Sequence, residues 1–215
     1  MKEIVAILGD FYHNEEIIKR SLYRAINNLG SVNLRFIDID ELQKELESKP
    51  DCIVLFKENR LNPQSESVDL WMTEEIEKKI VNYVKDGGSW LAWHSGLSSY
   101  SEDGEYNKML KGYFLHHPEK NDVVQYAPQK DMLGEFESAI EPFEFVDEHY
   151  FVKCEENDTN VFLRSLSKDG QSIAGWYHHF GKGKVCCLTP AHREDGLLNE
   201  SFLKTLHECV NWCIK

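Results

Sequence analysis

The sequence has few basic residues for its length and lacks any long apolar run. Of its 215 residues, 24 are Lys or Arg and 37 are Asp or Glu, a formal charge of −13. Nucleic-acid and anionic membrane surfaces bind clustered Lys and Arg, so we expect neither partner. The apolar runs, such as Cys52–Phe56, are strand-sized and far short of the ~20 residues that cross a bilayer. The apolar run at residues 4–8 is also too short for a signal-peptide core, and we expect a cytoplasmic protein.

The six cysteines include no Cys-x-x-Cys pair. Cys186 and Cys187 are adjacent in a predicted strand, and Cys209 and Cys213 lie one helical turn apart. His207 lies near this second pair, but no fourth metal ligand is evident. The spacing therefore favours small buried side chains in a reducing compartment over a disulfide framework or a zinc knuckle.

Internal repeats, low-complexity stretches and long Pro/Gly/Ser linkers are also absent, which predicts a single domain over residues 1–215. In the first half, strands alternate with helices. Predicted strands cover residues 4–8, 32–37, 51–56 and Ser89–Trp93, and predicted helices cover 15–29, 41–47 and 73–85. Thr73 caps the third helix, acids follow in its first turn, and Gly87-Gly88 ends it. This alternation predicts a parallel sheet with helices on both faces.

The second half has shorter predicted strands, at residues 123–126, 149–154, 161–166, 173–180 and 184–189. Gly181-Lys182-Gly183 between the last two indicates a hairpin, and an amphipathic helix at 198–214 closes the chain. We therefore expect an α/β sandwich whose mainly parallel sheet carries an antiparallel extension.

Reactive side chains follow several predicted strands. In open parallel sheets ligands bind beyond the carboxyl ends of the strands, so distant residues can meet there. His117 ends what is predicted as a helix-to-loop stretch, and the segment from Asp147 to Tyr150 opens another strand. The candidates gathered in this way are Asp10, His13, His94, Ser95, His117, Glu148, Tyr150 and His192.

Residues 92–96 have the pattern small-x-His-x-Gly at a strand-to-helix turn. This is the frame of a nucleophile elbow, in which small residues permit a strained turn. The central position is His94, so neither a hydroxyl nor a thiol occupies it, and Ser95 should point elsewhere. The pattern excludes acyl-enzyme chemistry at this position.

An ordered set of segments resembles the ThuA-like (trehalose utilisation) family, a branch of the class I glutamine amidotransferase-like fold. The segments are the post-strand His13, GGSWLAWHS (87–95), GYFLHHP (112–118), FVDEHY (145–150), and Trp176 through GKGKV (181–185) to His192. The sequence departs from the glycine-rich family pattern at Ser89-Trp90, Trp93 and Lys111. The His192-x-Glu194 pair is similar to amidotransferase triads, but the cysteine is missing, so the glutaminase function is excluded.

The resemblance implies a flavodoxin-like three-layer sandwich and a role in carbohydrate metabolism. The implied substrate is a keto-sugar derived from a disaccharide or glycoside, and the implied enzyme is a lyase or hydrolase. A non-catalytic sugar-binding or regulatory module on the same fold is the alternative. The sequence does not decide whether the protein forms a homo-oligomer. A flavodoxin-type cofactor is disfavoured because the loop after the first strand has a single glycine and cannot cradle a phosphate.

Two uses of the histidines remain open. His94, His117 and His192 are ligands of the kind that zinc accepts, so a divalent metal is one alternative, although no His-x-His or HExxH spacing supports it. The other is metal-free proton transfer by His94 and His192 with Glu148, because histidine titrates near neutral pH. Residues expected to contact substrate are Asp10, His13, Trp93, Ser95, His117, Tyr150 and Trp176, with Trp71 as a further aromatic candidate. His116, His149, His178 and His179 are expected outside the site, the last two in solvent.

Overall fold

One large mixed sheet forms the centre of the molecule. The computed structural model describes residues 1–129, 135–136 and 140–215. Its strands are β1 Lys2–Leu8, β2 Val32–Phe36, β3 Cys52–Phe56, β4 Ser89–Trp93, β5 Gly112–His116, β6 Asp122–Pro128, β7 Phe143–Asp147, β8 Phe151–Cys154, β9 Asn160–Ser167, β10 Gly170–Phe180 and β11 Gly183–Leu188. Its helices are α1 Glu15–Ile26, α2 Leu42–Ser48, α3 Glu74–Lys85, α4 Glu105–Leu110, α5 Glu194–Leu197 and α6 Glu200–Ile214.

Nine strands lie in the order β2-β1-β3-β4-β11-β10-β9-β6-β7. The pairs from β2 to β11 are parallel, and those from β11 to β7 are antiparallel. Strands β5 and β8 form a separate antiparallel pair. The predicted parallel sheet with an antiparallel extension is confirmed, and the continuous apolar runs of β3 and β4 are buried along their whole length.

The sheet separates two apolar cores. Alternate residues of β1 divide between them, with Ile4, Ala6 and Leu8 packing on one face and Val5 and Ile7 on the other. Helices α1 and α6 cover the first face, and α2, α3 and α4 cover the second. The structure is therefore the predicted three-layer sandwich.

Side-chain caps start the three longest helices. Asn14, Thr73 and Asn199 each accept backbone N–H groups in the first turn of α1, α3 and α6, so the predicted Thr73 cap is confirmed. Helix α1 ends at Ile26, before the predicted residue 29. Among the described residues, no helix combines the length and the apolar character needed to cross a bilayer.

The second half contains the larger differences from prediction. The hairpin between β10 and β11 is confirmed, with Phe180 opposite Gly183 and Gly181 at a φ of +61°. His117 follows strand β5 instead of a helix. In the part of the chain that the structure describes, β5 pairs with the short β8 alone. The apolar pattern of the sequence does not indicate β5. Strand β7 was also missed, although its alternation of Phe143, Glu144 and Phe145 is a strand signal.

The prediction that His178 lies in solvent is wrong. The residue is 4% exposed, and its Nε2–H donates to the carbonyl of Met109 at 2.9 Å. Because β10 is an interior strand and side chains alternate, His178 faces α4 while His179 is exposed. Burial lowers the pKa of His178 to about 4.

This buried imidazole predicts a loss of stability in mild acid. The folded-state pKa lies below the unfolded value near 6.5, so the unfolded chain binds the extra proton as the pH falls. Between pH 7 and 5 this group should remove about 2 kcal/mol from the free energy of unfolding. His178→Gln retains an N–H donor but does not titrate. Its free energy of unfolding, measured by urea unfolding, should therefore fall by about 2 kcal/mol less than that of the wild type over the same pH range. His179→Gln is the control, and an unchanged pH dependence in His178→Gln would contradict the assignment.

Gly96 allows the turn after β4 to pack against β3. A Cβ at this position would lie 2.3 Å from the carbonyl oxygen of Leu55, which is backbone and cannot rotate away. Gly96→Ala should therefore lower the free energy of unfolding by about 2–3 kcal/mol. At Gly30 a Cβ meets nothing within 4 Å, so Gly30→Ala should change it by less than about 0.5 kcal/mol. If denaturant titrations gave equal changes for Gly96→Ala and Gly30→Ala, the close approach of Gly96 to Leu55 would not constrain the turn.

Candidate active site

The candidate site lies at the edge where the parallel strands end. Segments that follow β1, β3, β4 and β11 meet there with the turn between β7 and β8. They enclose a cavity of about 400 Å³, within the range of small-molecule sites. Its lining residues are Tyr12, His13, Glu58, Arg60, Ser95, Ser98, Phe114, His117, Glu148, Tyr150 and His192.

His94 occupies the turn after β4 in a strained conformation. Its φ is +48°, a left-handed value that is uncommon for a residue with a side chain, and a 3₁₀ turn follows over His94–Leu97. The Nδ1–H donates to the carbonyl oxygen of Thr189 at 2.6 Å. The Nε2 atom is buried without a hydrogen-bond partner among the described residues. Burial, with the neighbouring His13 and His192, lowers the pKa of His94 well below its usual value, so the ring is neutral with its lone pair on Nε2.

Asp10 fixes the ring of His13. Burial raises the pKa of this carboxyl, but the hydrogen bond and charge of His13 outweigh it and hold the pKa below its usual value. The ionised Oδ1 accepts Nδ1–H of His13 at 2.5 Å and the backbone N–H of Tyr12 at 3.0 Å. Oδ2 accepts the backbone N–H of Glu58 at 3.1 Å, which ties the loop after β1 to the loop after β3.

His192 continues this chain of groups. Its Nδ1 lies 2.9 Å from Nε2 of His13, so the two rings are joined by a hydrogen bond in which one nitrogen donates and the other accepts. Burial, with the nearby His13 and His117, lowers the pKa of His192 to about 4. The backbone N–H groups of His192 and Arg193 donate to Oδ1 of Asp147 at 2.9 and 3.3 Å, and burial raises the pKa of Asp147 to about 7. Asp147 therefore anchors the loop that carries His192.

Glu148 lies among three imidazoles. Its Oε2 is 3.3 Å from Nδ1 of His192 and 3.9 Å from Nε2 of His94, and its Oε1 is 4.0 Å from Nε2 of His117. Nδ1–H of His117 donates to the carbonyl of Pro118 at 2.8 Å. The nitrogen of His94 that faces the carboxyl group, Nε2, thus carries a lone pair. Burial raises the pKa of Glu148, which favours its protonated form.

Tyr150 holds the ring of His94 in place. The two rings stack with centroids 4.1 Å apart and planes inclined by 23°, and Phe114 packs on Tyr150 at 4.4 Å. Tyr150 is largely buried but still lines the cavity. The direction of the His94 lone pair is therefore fixed by both the hydrogen bond to Thr189 and this stacking.

The structure brings most of the sequence-predicted residues together but leaves the tryptophans elsewhere. Trp93 is fully buried and donates to the carbonyl of Pro190 at 2.6 Å, and Trp176 is fully buried and donates to that of Leu110 at 2.8 Å. Trp71 is also in the core. None of the three lines the cavity, because each indole N–H is satisfied by backbone within the packed interior. His116 stacks on Phe151, and His149 bonds to Ser165 and Ser167, both outside the cavity as expected.

Several cavity residues were not predicted from the sequence. Glu58 and Arg60 directly follow β3, so the rule that selected His94 would also have selected them. Ser98 belongs to the turn after β4 and Phe114 to the unpredicted β5. Thr189 acts through its backbone carbonyl, for which the sequence carries no signal.

Nitrogen atoms of His13, His94 and His192 lie within 4.8 Å of one another. The sequence-based ligand set contained His117 in place of His13. This three-imidazole set fits a divalent cation such as zinc, because the buried Nε2 of His94 has no hydrogen-bond partner among the described residues. The far nitrogens of His13 and His94 also donate to fixed oxygens, as metal-binding histidines usually do.

Comparison with known proteins finds one matching family model and several similar folds. The model of the ThuA family, described as trehalose utilisation, matches residues 19–213. A putative ThuA-like protein from Parabacteroides merdae superposes with a TM-score of 0.78 at 13% identity, covering 100% of this chain and 90% of that one. A second, from Bacteroides uniformis, gives 0.66 at 14% identity, covering 99% and 91%.

A β-galactosidase from Rahnella sp. R3 gives a TM-score of 0.65 at 14% identity. The match covers 97% of this chain but 31% of that enzyme, so it concerns one part of a much longer protein. No curated protein matches the chain in sequence. At these identities the solved structures establish the fold alone, whereas the family model covers most of the chain.

Proposed function

The chain belongs to the ThuA (trehalose utilisation) family, and from this premise we propose that it is an enzyme of carbohydrate metabolism acting on a keto-sugar or glycoside. In this proposal His94, Glu148 and His192 carry the proton transfers, and Asp10 and His13 support them. One observation carries the proposal. The unpartnered Nε2 of His94 is buried directly behind the lining of a small-molecule cavity, 3.9 Å from the carboxyl group of Glu148, which lines that cavity.

This pair suits an elimination beside a ketone. Nε2 of His94 accepts the proton from the carbon next to the keto group, and the C–H electrons form the new double bond. The bond to the oxygen on the following carbon breaks, and that oxygen takes the proton of Glu148. As His94 becomes positive Glu148 becomes negative, so the net charge of the buried cavity stays constant. Positioned acid–base catalysis of this kind contributes about 10²–10⁴-fold.

The remaining groups support this exchange. The ionised Asp10 lies at one end of a chain through His13 to His192, whose Nδ1 is 3.3 Å from Glu148. This chain can return a proton to Glu148 after the leaving group departs. Tyr150, stacked on His94, keeps Nε2 directed at the substrate.

As the alternative to metal-free proton transfer, the same histidines hold a divalent cation, and Nε2 of His94 is then a ligand and not the base. His13, His94 and His192 would bind it, with Glu148 beside them. Such an ion supplies Lewis-acid polarisation of a sugar carbonyl. The six cysteines are free, which supports the expected location in the reducing cytoplasm.

Hydrogen exchange tests the proton transfer. In D₂O with methyl 3-keto-α-glucoside, the wild type should exchange the protons beside the keto group, followed by NMR. His94→Ala should slow this exchange by at least about 100-fold. Glu148→Gln should retain exchange but lose release of methanol, because the leaving oxygen has no proton donor.

His116→Ala is the matched control, since this exposed neighbour of His117 stacks on Phe151 outside the cavity. Its exchange rate should stay within about twofold of the wild type, as for surface substitutions that perturb no site group. If the wild type binds keto-sugars without exchange or release, the protein is a sugar-binding module and the catalytic proposal is wrong.

Zinc titration tests the donor set. Chelator-treated protein should bind one zinc ion, and His13→Ala and His94→Ala should weaken binding by more than the 10–100-fold typical of outer-shell changes. His117→Ala should retain affinity, because its ring lies outside the three-nitrogen cluster. Loss of zinc affinity in His117→Ala but not in His13→Ala, measured by calorimetry, would contradict this donor set. It would support the ligand set predicted from the sequence, His94, His117 and His192.

A further inference from the structure

Glu58 has a buried carboxylate oxygen without a hydrogen-bond partner among the described residues. The residue is 2% exposed, and its Oε2 accepts Nε–H of Arg60 at 2.6 Å and Oγ–H of Ser99 at 2.9 Å. Its Oε1 is buried and receives no hydrogen bond from any described residue. Leaving such an acceptor unsatisfied is unfavourable, and Glu58 lines the cavity. A group that enters the cavity can therefore supply the missing donor.

Arg60 places donors next to this acceptor. Its Nε–H bonds to Glu58, which restrains the guanidinium plane. Its side chain is 37% exposed and lines the same cavity. Within the described part of the chain, its terminal N–H groups make no hydrogen bond, so they remain available at the cavity. A carboxylate acceptor beside guanidinium donors matches a sugar, whose hydroxyl groups both donate and accept.

The charges of the lining select against anions. Arg60 is the one Lys or Arg among the described lining residues, and Glu58 already pairs with it. Glu148, whose protonated form burial favours, adds no positive charge, and the ionised Asp10 lies directly behind His13. A phosphate or carboxylate in the cavity would thus meet more negative than positive groups.

We propose that Glu58 and Arg60 form a hydroxyl-binding subsite that selects a neutral sugar and rejects phosphorylated or carboxylated ones. The proposal rests on the proposed function, to which it adds the substrate class. One hydroxyl donates to Oε1 of Glu58, and a neighbouring hydroxyl accepts from the guanidinium of Arg60. The reacting carbon lies towards Glu148 and the nearby Nε2 of His94.

The test measures binding of unreactive sugars by calorimetry and saturation-transfer NMR. The probes are trehalose and methyl α-glucoside, each compared with its 6-phosphate, and glucuronate. The neutral sugars should bind the wild type at least about tenfold more tightly than the charged ones. Glu58→Gln and Arg60→Met should each weaken neutral-sugar binding by about tenfold or more. Glu58→Gln removes a negative charge, so it should also reduce the ratio of neutral-sugar affinity to sugar-phosphate affinity. A purely structural role of Glu58 would not produce this change.

Arg164→Met is the matched control, because Arg164 is similarly exposed, at 39%, and pairs with Glu156 away from the cavity. It should bind like the wild type. The subsite would be overturned if the wild type bound the phosphates more tightly than the neutral sugars, or bound neither neutral sugar. It would also be overturned if Glu58→Gln and Arg60→Met bound the neutral sugars as tightly as the wild type does. If binding depends on Glu58 and Arg60 but no proton exchange occurs, the subsite stands and the catalytic proposal fails. If proton exchange occurs but sugar binding is unchanged in Glu58→Gln, the catalytic proposal stands and the subsite fails.

Discussion

The hydrogen bond from His94 to the carbonyl of Thr189 is the interaction on which the candidate site depends. It exists because β4 and β11 are parallel neighbours, with Trp93 opposite Leu188, so that the residues after each strand lie side by side. The bond places the proton of His94 on Nδ1 and leaves the lone pair on the buried Nε2. The left-handed backbone at His94 and the stacked Tyr150 fix the ring in this position. Without the parallel pairing, neither the tautomer nor the direction of the ring would be defined.

The same edge of the sheet assembles the rest of the cavity. Asp10 links the loops after β1 and β3, and Asp147 anchors the loop after β11, so each carboxylate orients a segment through backbone N–H groups. The cavity lining therefore combines two groups of different chemistry. The lining contains the imidazoles of His13, His117 and His192 with Glu148, to which we assign proton transfer, and the Glu58–Arg60 pair, to which we assign hydroxyl binding. This division is consistent with a family associated with sugar utilisation.

The sequence predicts the parallel half of the fold well, because the buried strands β3 and β4 and the Thr73 cap have strong local signals. It also predicts His94 and Ser95 after β4, but Glu58 and Arg60 after β3 were not predicted. It does not predict β5, whose partner β8 is distant in sequence and whose pairing depends on tertiary packing. The sugar-stacking role expected for Trp93 and Trp176 rested on residue type, and residue type cannot distinguish a pocket wall from the core. Nor can it reveal that a backbone carbonyl, that of Thr189, orients the central histidine.

The ionisation and tautomer of His94 test the account most directly. Long-range ¹H–¹⁵N correlation NMR of the imidazole rings, assigned with a His94→Gln variant, reports which ring nitrogen carries the proton. At pH 7 the account predicts a neutral His94 with its proton on Nδ1 and an unprotonated Nε2. A proton on Nε2, or an imidazolium at that pH, would contradict the account, because the nitrogen facing Glu148 would then have no lone pair with which to accept a proton or hold a cation.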